Sequence, residues 1–402
     1  MHGIEPYPLT TQCACLDEKD QLWMVSNTLN ALFCVNIDTE QVQYVTSFDQ
    51  EPMICKDLYT KAIWYQGKMI CIPCTAKNIA IYAVETKETR YVPIRNEDYL
   101  VYFNTISLNE SKILLFPVIY SKYAYIFDLD TESYETILLE YGKNKHKVRN
   151  KIVQGDALCN GKVYFIIRET DIYFSFDIES HIIQFYKADN HQLFFSMASD
   201  GKYLYLFHTD GCGYDVYQNQ QYIETRKLLP KETDVSCIIP YENMNYIASF
   251  CEKGQVINLP MKNNSLKLFQ NGYMKDIPLD WNRICMVDLK VQAFSLCIQY
   301  NEKLLLLPYH CNTIVQIDLI SGISKYFNIN VTEEVIGKLY HILSNTPELM
   351  GYGVTEYLMP ITLFLNVIQT LDTKKKEKPV MQLKETKGYA IYDYLKRKED
   401  LQ

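Results

Sequence analysis

Residues 151–187, KIVQGDALCNGKVYFIIRETDIYFSFDIESHIIQFYK, decide the fold. Four short apolar or alternating runs stand one after another: KIVQGDALC, GKVYFII, YFSFDIESH and IIQFYK. The stretch reads as four successive strands. Period-two alternation elsewhere, Val35 with Ile37 and Phe127 with Leu129, carries the same signature of strands.

The unit recurs. Its second strand is announced by a small turn and an apolar run: DQLWMV from Asp20, GKMICIP from Gly67, SKILLFP from Ser111, GKVYFII from Gly161 and GKYLYLF from Gly201. Weaker copies are MNYIASF from Met244 and EKLLLLP from Glu302. A further marker closes the third strand with Asp or Asn, an aliphatic residue, any residue, then Ser or Thr. Copies are LFCVNIDTE (32–40), IYAVETKE (81–88), YIFDLDTES (125–133), YFSFDIESH (173–181) and VQIDLISG (315–322), with degenerate versions at 214–221 and 256–264. A carboxylate or amide there can accept from the backbone N–H groups that follow it, which stabilises the turn. Four strands repeated every 40 to 58 residues is the β-propeller pattern. The repeat predicts an all-β propeller of seven blades, six or eight being the alternatives. The second strands start near Leu22, Met69, Ile113, Val163, Tyr203, Asn245 and Lys303.

The strand-to-turn pattern around Asp128, Asp177 and Asp318 resembles that of kelch-type and related propeller families, over residues 10–330. The Gly-Gly doublet of kelch repeats and the Trp-Asp pair of their relatives are missing from every unit. The resemblance therefore implies a fold and no particular partner.

The period changes at about Val331. The stretch VTEEVIGKLYHILSN has Thr332 as an N-cap, Glu333 and Glu334 in its first turn, and an apolar stripe from Val335 to Leu343 at helical spacing. Further helices are expected from Thr362 and around Ile391, Tyr392 and Leu395. The chain thus divides into a propeller, residues 1–330, and a helical C-terminal extension, residues 331–402, that packs on it or docks a partner.

Composition narrows the function. The net charge of −8 on 402 residues argues against nucleic acid, whose binding rests on neutralising phosphates. No run of apolar residues is long enough to span a membrane. MHGIEPYPLTTQC at the start lacks the form of a secretory signal. Thirteen scattered cysteines suit free thiols in a reducing cytoplasm. Cys71 and Cys74 have the spacing of a redox pair but lie at the end of a strand, without the helix dipole that such a pair needs. Cys13 and Cys15 lack the second pair that a zinc site requires. No catalytic set, metal site or cofactor motif emerges.

Propellers use the loops that lead into each blade and those between second and third strands. The repeat brings the latter into one ring: Asn27, Cys74, Arg168, Glu169, His208, Asp210, Glu252, Tyr309 and His310. Two more candidates for partner contact are a basic segment at 140–151, with Lys143, Lys145 and Arg149, and Trp281 in the long 271–293 insertion. The leading expectation is a non-catalytic scaffold that binds a protein or peptide. The alternatives are a carbohydrate-binding or carbohydrate-cleaving propeller, suggested by Glu169, Asp210, Glu252 and His310 with 33 tyrosines, and an accessory subunit of a peptide- or glycan-modifying enzyme.

Overall fold

The computed structural model describes residues 10–27, 30–51, 57–94, 103–209, 213–227, 255–258, 266–270, 273–284, 293–309 and 311–329. They form a β-propeller. Blade I comprises β1 (Cys13–Leu16), β2 (Leu22–Val25), β3 (Leu32–Asn36) and β4 (Gln41–Thr46). Blade II comprises β5 (Tyr59–Tyr65), β6 (Lys68–Pro73), β7 (Asn78–Ala83) and β8 (Glu88–Pro93). Blade III holds β9 (Phe103–Ser107), β10 (Lys112–Pro117), β11 (Tyr123–Asp128) and β12 (Ser133–Leu138). Blade IV holds β13 (Val153–Cys159), β14 (Lys162–Ile167), β15 (Ile172–Asp177) and β16 (Ile183–Lys187). Blade V holds β17 (Phe194–Ser199), β18 (Leu204–His208), β19 (Gly213–Gln218) and β20 (Gln221–Lys227). A three-stranded sheet follows: β21 (Gln255–Asn258), β22 (Leu266–Gln270) and β23 (Tyr273–Ile277). Blade VI has β24 (Phe294–Tyr300), β25 (Lys303–Pro308), β26 (Thr313–Asp318) and β27 (Ser324–Asn328). Every sheet is a sequential antiparallel meander.

The expectation of seven blades is corrected to six, because among the described residues six sheets have four strands and the sheet between blades V and VI has three. The weak copies that suggested another blade, at Met244 and 256–264, lack the Asp-Xaa-Xaa-Ser/Thr turn that pins a third strand to a fourth. The second strand expected near Asn245 lies outside the described residues, as does the helical extension of residues 331–402. Among the described residues the one α-helix is α1 (Lys145–Val148), of four residues. None is long and apolar enough to cross a membrane.

The strands grade from axis to rim. First strands meet across blades, β1 against β5, β9 against β13 and β13 against β17. Second strands are almost wholly buried, as in LWMV and KILLFP. Fourth strands are mostly exposed or half-buried, as in β8, ETRYVP. An apolar second strand is what a sheet covered on both faces requires.

The core lies between blades. Phe116 of blade III stacks on Phe165 of blade IV, with centroids 4.2 Å apart, beside Phe174 and Phe176. Trp23 of blade I stacks on Trp64 of blade II, and Tyr173 of blade IV meets Tyr217 of blade V. Each such ring contributes about 2–3 kcal/mol by leaving water. Many of the tyrosines are thus interior residues. The ring closes by packing. Ala14, Leu22, Met24 and Phe33 of blade I share one cluster with Leu305, Leu307 and Ile314 of blade VI. The Thr11 N–H also donates to the Pro308 carbonyl at 2.9 Å.

Candidate functional site

Antiparallel pairing puts all turns between first and second strands, and between third and fourth strands, at one end of the propeller. The loops between second and third strands and the connectors between blades share the other end.

At the turn end, three aspartates cap their own turns. Asp128 accepts from the N–H groups of Asp130 and Thr131 at 3.0 and 2.9 Å, and Asp177 accepts from Glu179 and Ser180 at 3.2 and 2.9 Å. Asp318 accepts from the Ser321 N–H at 2.7 Å and its hydroxyl at 2.8 Å. These donors hold all three carboxyls below the usual Asp value. Blades II and III are joined here by Glu132, which takes Lys68 at 2.5 Å and Arg90 at 2.7 Å.

The connector end is built differently. In blades I, II, IV, V and VI, the first or second loop residue after the second strand donates its N–H to a residue just ahead of that blade's first strand. The pairs are Asn27 to Thr10 at 2.9 Å, Cys74 to Leu58 at 2.8 Å, Arg168 to Ile152 at 2.9 Å, Thr209 to Leu193 at 2.8 Å and Tyr309 to Ala293 at 2.8 Å. Loop and connector are therefore one latched surface.

This latching sorts the residues of the ring. Asn27, Cys74 and His208 are buried. Arg168 and Tyr309 are half-buried and Glu169 is exposed. Arg168 lies over the Phe195 ring, 4.2 Å from its centroid, and Glu169 takes a left-handed conformation with φ of 59°. Asp210, Glu252 and His310 lie outside the described residues. Of the four residues that suggested glycoside chemistry, only Glu169 is therefore described. The described residues contain no group of three or more His, Cys, Asp or Glu side chains placed to hold a metal. Trp281 is half-buried in a 3-10 turn, Trp281–Arg283, and its ring faces Phe294 with centroids 6.5 Å apart.

Asp215, Asn190, Glu51 and Asp156 were not singled out by sequence. His208 Nε2 sits 3.0 Å from the buried Asp215, which also accepts from Thr225 Oγ1 at 2.6 Å and from Asn190 Nδ2. Burial pushes the Asp215 carboxyl up, but the hydrogen bonds and the His208 charge outweigh it, and the net shift is downward. Glu51, on the connector between blades I and II, accepts from the N–H groups of Lys77 and Asn78 and from Asn78 Nδ2. Both carboxylates hold loops in place. Asp156 sits beside a bulge in β13, the first strand of blade IV, and its surface is exposed although protein surrounds it at longer range. Protein around the axis raises its carboxyl to about 6, against the opposing pull of Lys61 on β5. Cys13, Cys15 and Cys297 are free, buried thiols, and burial raises each.

The basic segment forms an ordered ledge on the connector end, between blades III and IV. A 3-10 turn, Gly142–Asn144, runs into α1. Val148 is buried and locks the segment onto Phe165, Phe174 and Phe176. Lys143, Lys145, Arg149 and Lys151 are exposed, as is Lys122 on the neighbouring loop of blade III.

No protein-family model matches the chain, and no curated protein is similar to it in sequence. Solved structures are similar in shape. Virginiamycin B lyase from Staphylococcus aureus superposes with a TM-score of 0.52 at 10% identity, over 77% of this chain and 97% of that one. YCF48, solved bound to D1 peptide, gives 0.53 at 9% identity over 76% and 93%. The WD40 repeats of RRP9 give 0.53 at 10% identity over 76% and 90%. At these identities the likeness shows the propeller fold alone. It does not single out a kelch-type repeat.

Proposed function

We propose that this chain is a non-catalytic binding scaffold that takes a protein or peptide on its connector end. The observation that carries the reading is the contrast between the two ends. At one end, Asp128 and Asp177 cap their own turns and Glu132 pairs with Arg90 across two blades. The other end presents Arg168 over Phe195, the exposed Glu169 and a ledge of exposed cations. Function on propellers belongs to such loops, held by a rigid frame. The similar structures include WD40 repeats and a propeller bound to a peptide, in keeping with this reading.

The test is affinity purification of the tagged chain from its native host. A partner should co-purify with the wild type and be lost with Glu169→Arg combined with Arg149→Glu. The same partner should persist with Thr131→Arg combined with Ser180→Arg at the turn end. The reverse pattern overturns the proposal, as does turnover of a defined substrate by the purified chain that Arg168→Ala abolishes.

A further inference from the structure

We infer that the ledge between blades III and IV recognises an acidic peptide segment of the partner. The inference rests on the binding role proposed above and names the chemistry of the bound segment.

From Leu139 to Ile152 the chain carries Lys143, Lys145, Lys147, Arg149, Lys151 and His146 against a single carboxylate, Glu140. Lys122 adds a cation from the adjoining loop. None of these cations lies within ion-pair distance of a carboxylate among the described residues, where six such contacts occur elsewhere. On a chain of net charge −8 this is a local reversal of sign. Such a patch steers an oppositely charged partner and excludes like-charged ones.

Two of the cations also rest on aromatic rings. Lys145 Nζ sits 5.2 Å from the Tyr120 ring centroid, and Lys147 Nζ sits 5.5 Å from that of Phe185. Tyr120 packs on Tyr141, and the Arg149 N–H closes the turn onto the Lys145 carbonyl at 3.1 Å. Side chains already resting on rings lose less freedom when they bind. Leu138 and Ile152, at the two ends of the connector, are 55% and 42% exposed. The ledge therefore offers cations flanked by aliphatic contacts. Its complement is a peptide with carboxylates and interspersed aliphatic side chains.

The experiment uses the full chain and a fluorescein-labelled Glu-rich peptide with interspersed leucines, read by fluorescence anisotropy. The wild type should bind it, and a Lys-rich counterpart should not bind. Binding should weaken about tenfold or more in the Lys145→Glu, Lys147→Glu, Arg149→Glu variant. It should also weaken as salt rises. Reversal of Lys19 and Lys87 at the turn end should leave it unchanged. Circular dichroism of the triple variant verifies its fold, and the salt titration of the wild type stands without it. Equal binding of both peptides, an unchanged affinity in the folded triple variant, or loss of binding to an RNA oligonucleotide or inorganic phosphate as competitor would overturn the inference. If the Glu-rich peptide fails while native partners still depend on Glu169 and Arg149, the acidic-peptide chemistry is wrong and the scaffold role stands.

Discussion

Asn190, on the connector between blades IV and V, places its side-chain amide 2.8 Å from both carboxylate oxygens of Asp215, a fully buried residue of β19. The contact ties a loop of the connector end to the interior of the next blade. Asn190→Ala should destabilise the protein by about 1–2 kcal/mol, because it takes a donor from a buried carboxylate. Chemical denaturation at pH 7 measures this. The Asp215 carboxyl lies below its ordinary value, so its stabilisation is present above about pH 4 and is lost as pH falls through the folded value. The difference between wild type and Asp215→Asn should therefore shrink in acid.

Asp156 behaves in the opposite sense. Its carboxyl is raised to about 6, so the folded state is penalised as pH climbs from about 4 towards 6, and fully so above 6. Asp156→Asn should raise the melting temperature at pH 8, and the gain should vanish at pH 4. A gain that is the same at both values would show that the carboxyl does not titrate in this range.

Gly155 sits in the bulge of β13, where an added Cβ would lie 2.6 Å from the Tyr164 carbonyl oxygen and 2.9 Å from the Phe165 Cα. Backbone atoms cannot yield as a flexible side chain can. Gly155→Ala should cost about 3 kcal/mol. Gly67, in a turn with open space around it, needs only its φ of 73°, so Gly67→Ala should cost about 1 kcal/mol. Equal losses in urea denaturation would contradict this contrast.

The buried thiols should be inert. Burial raises Cys13 and Cys15 well above the ordinary range and Cys297 to about 12. Iodoacetamide labelling read by mass spectrometry should modify these positions in urea and leave them untouched in the folded protein.

The fold was legible wherever one short turn carried its own chemistry. Asp128, Asp177 and Asp318 mark third-strand ends because their acceptors act on residues two or three places on. The starts of β2, β6, β10, β14, β18 and β25 fall on the expected residues or one away. The blade count was not legible, because the region between blades V and VI lacks that local turn. Which loop residues face solvent was hidden for another reason. Glu51 meets Asn78 across 27 residues, and His208 is drawn inward by an aspartate on the next strand. Alternation and turn composition do not encode such long-range contacts. The basic ledge was visible as charge, while its packing rests on Val148 and on rings outside the segment.

The central claim is that the connector end is the binding face. Site-specific photo-crosslinking in the native host tests it most directly, with the photoreactive residue placed at Arg149 or Glu169 on that end, or at Thr131 or Ser180 on the turn end. The account predicts a discrete crosslinked species from positions 149 and 169 and none from 131 and 180. Crosslinks confined to positions 131 and 180 would contradict it.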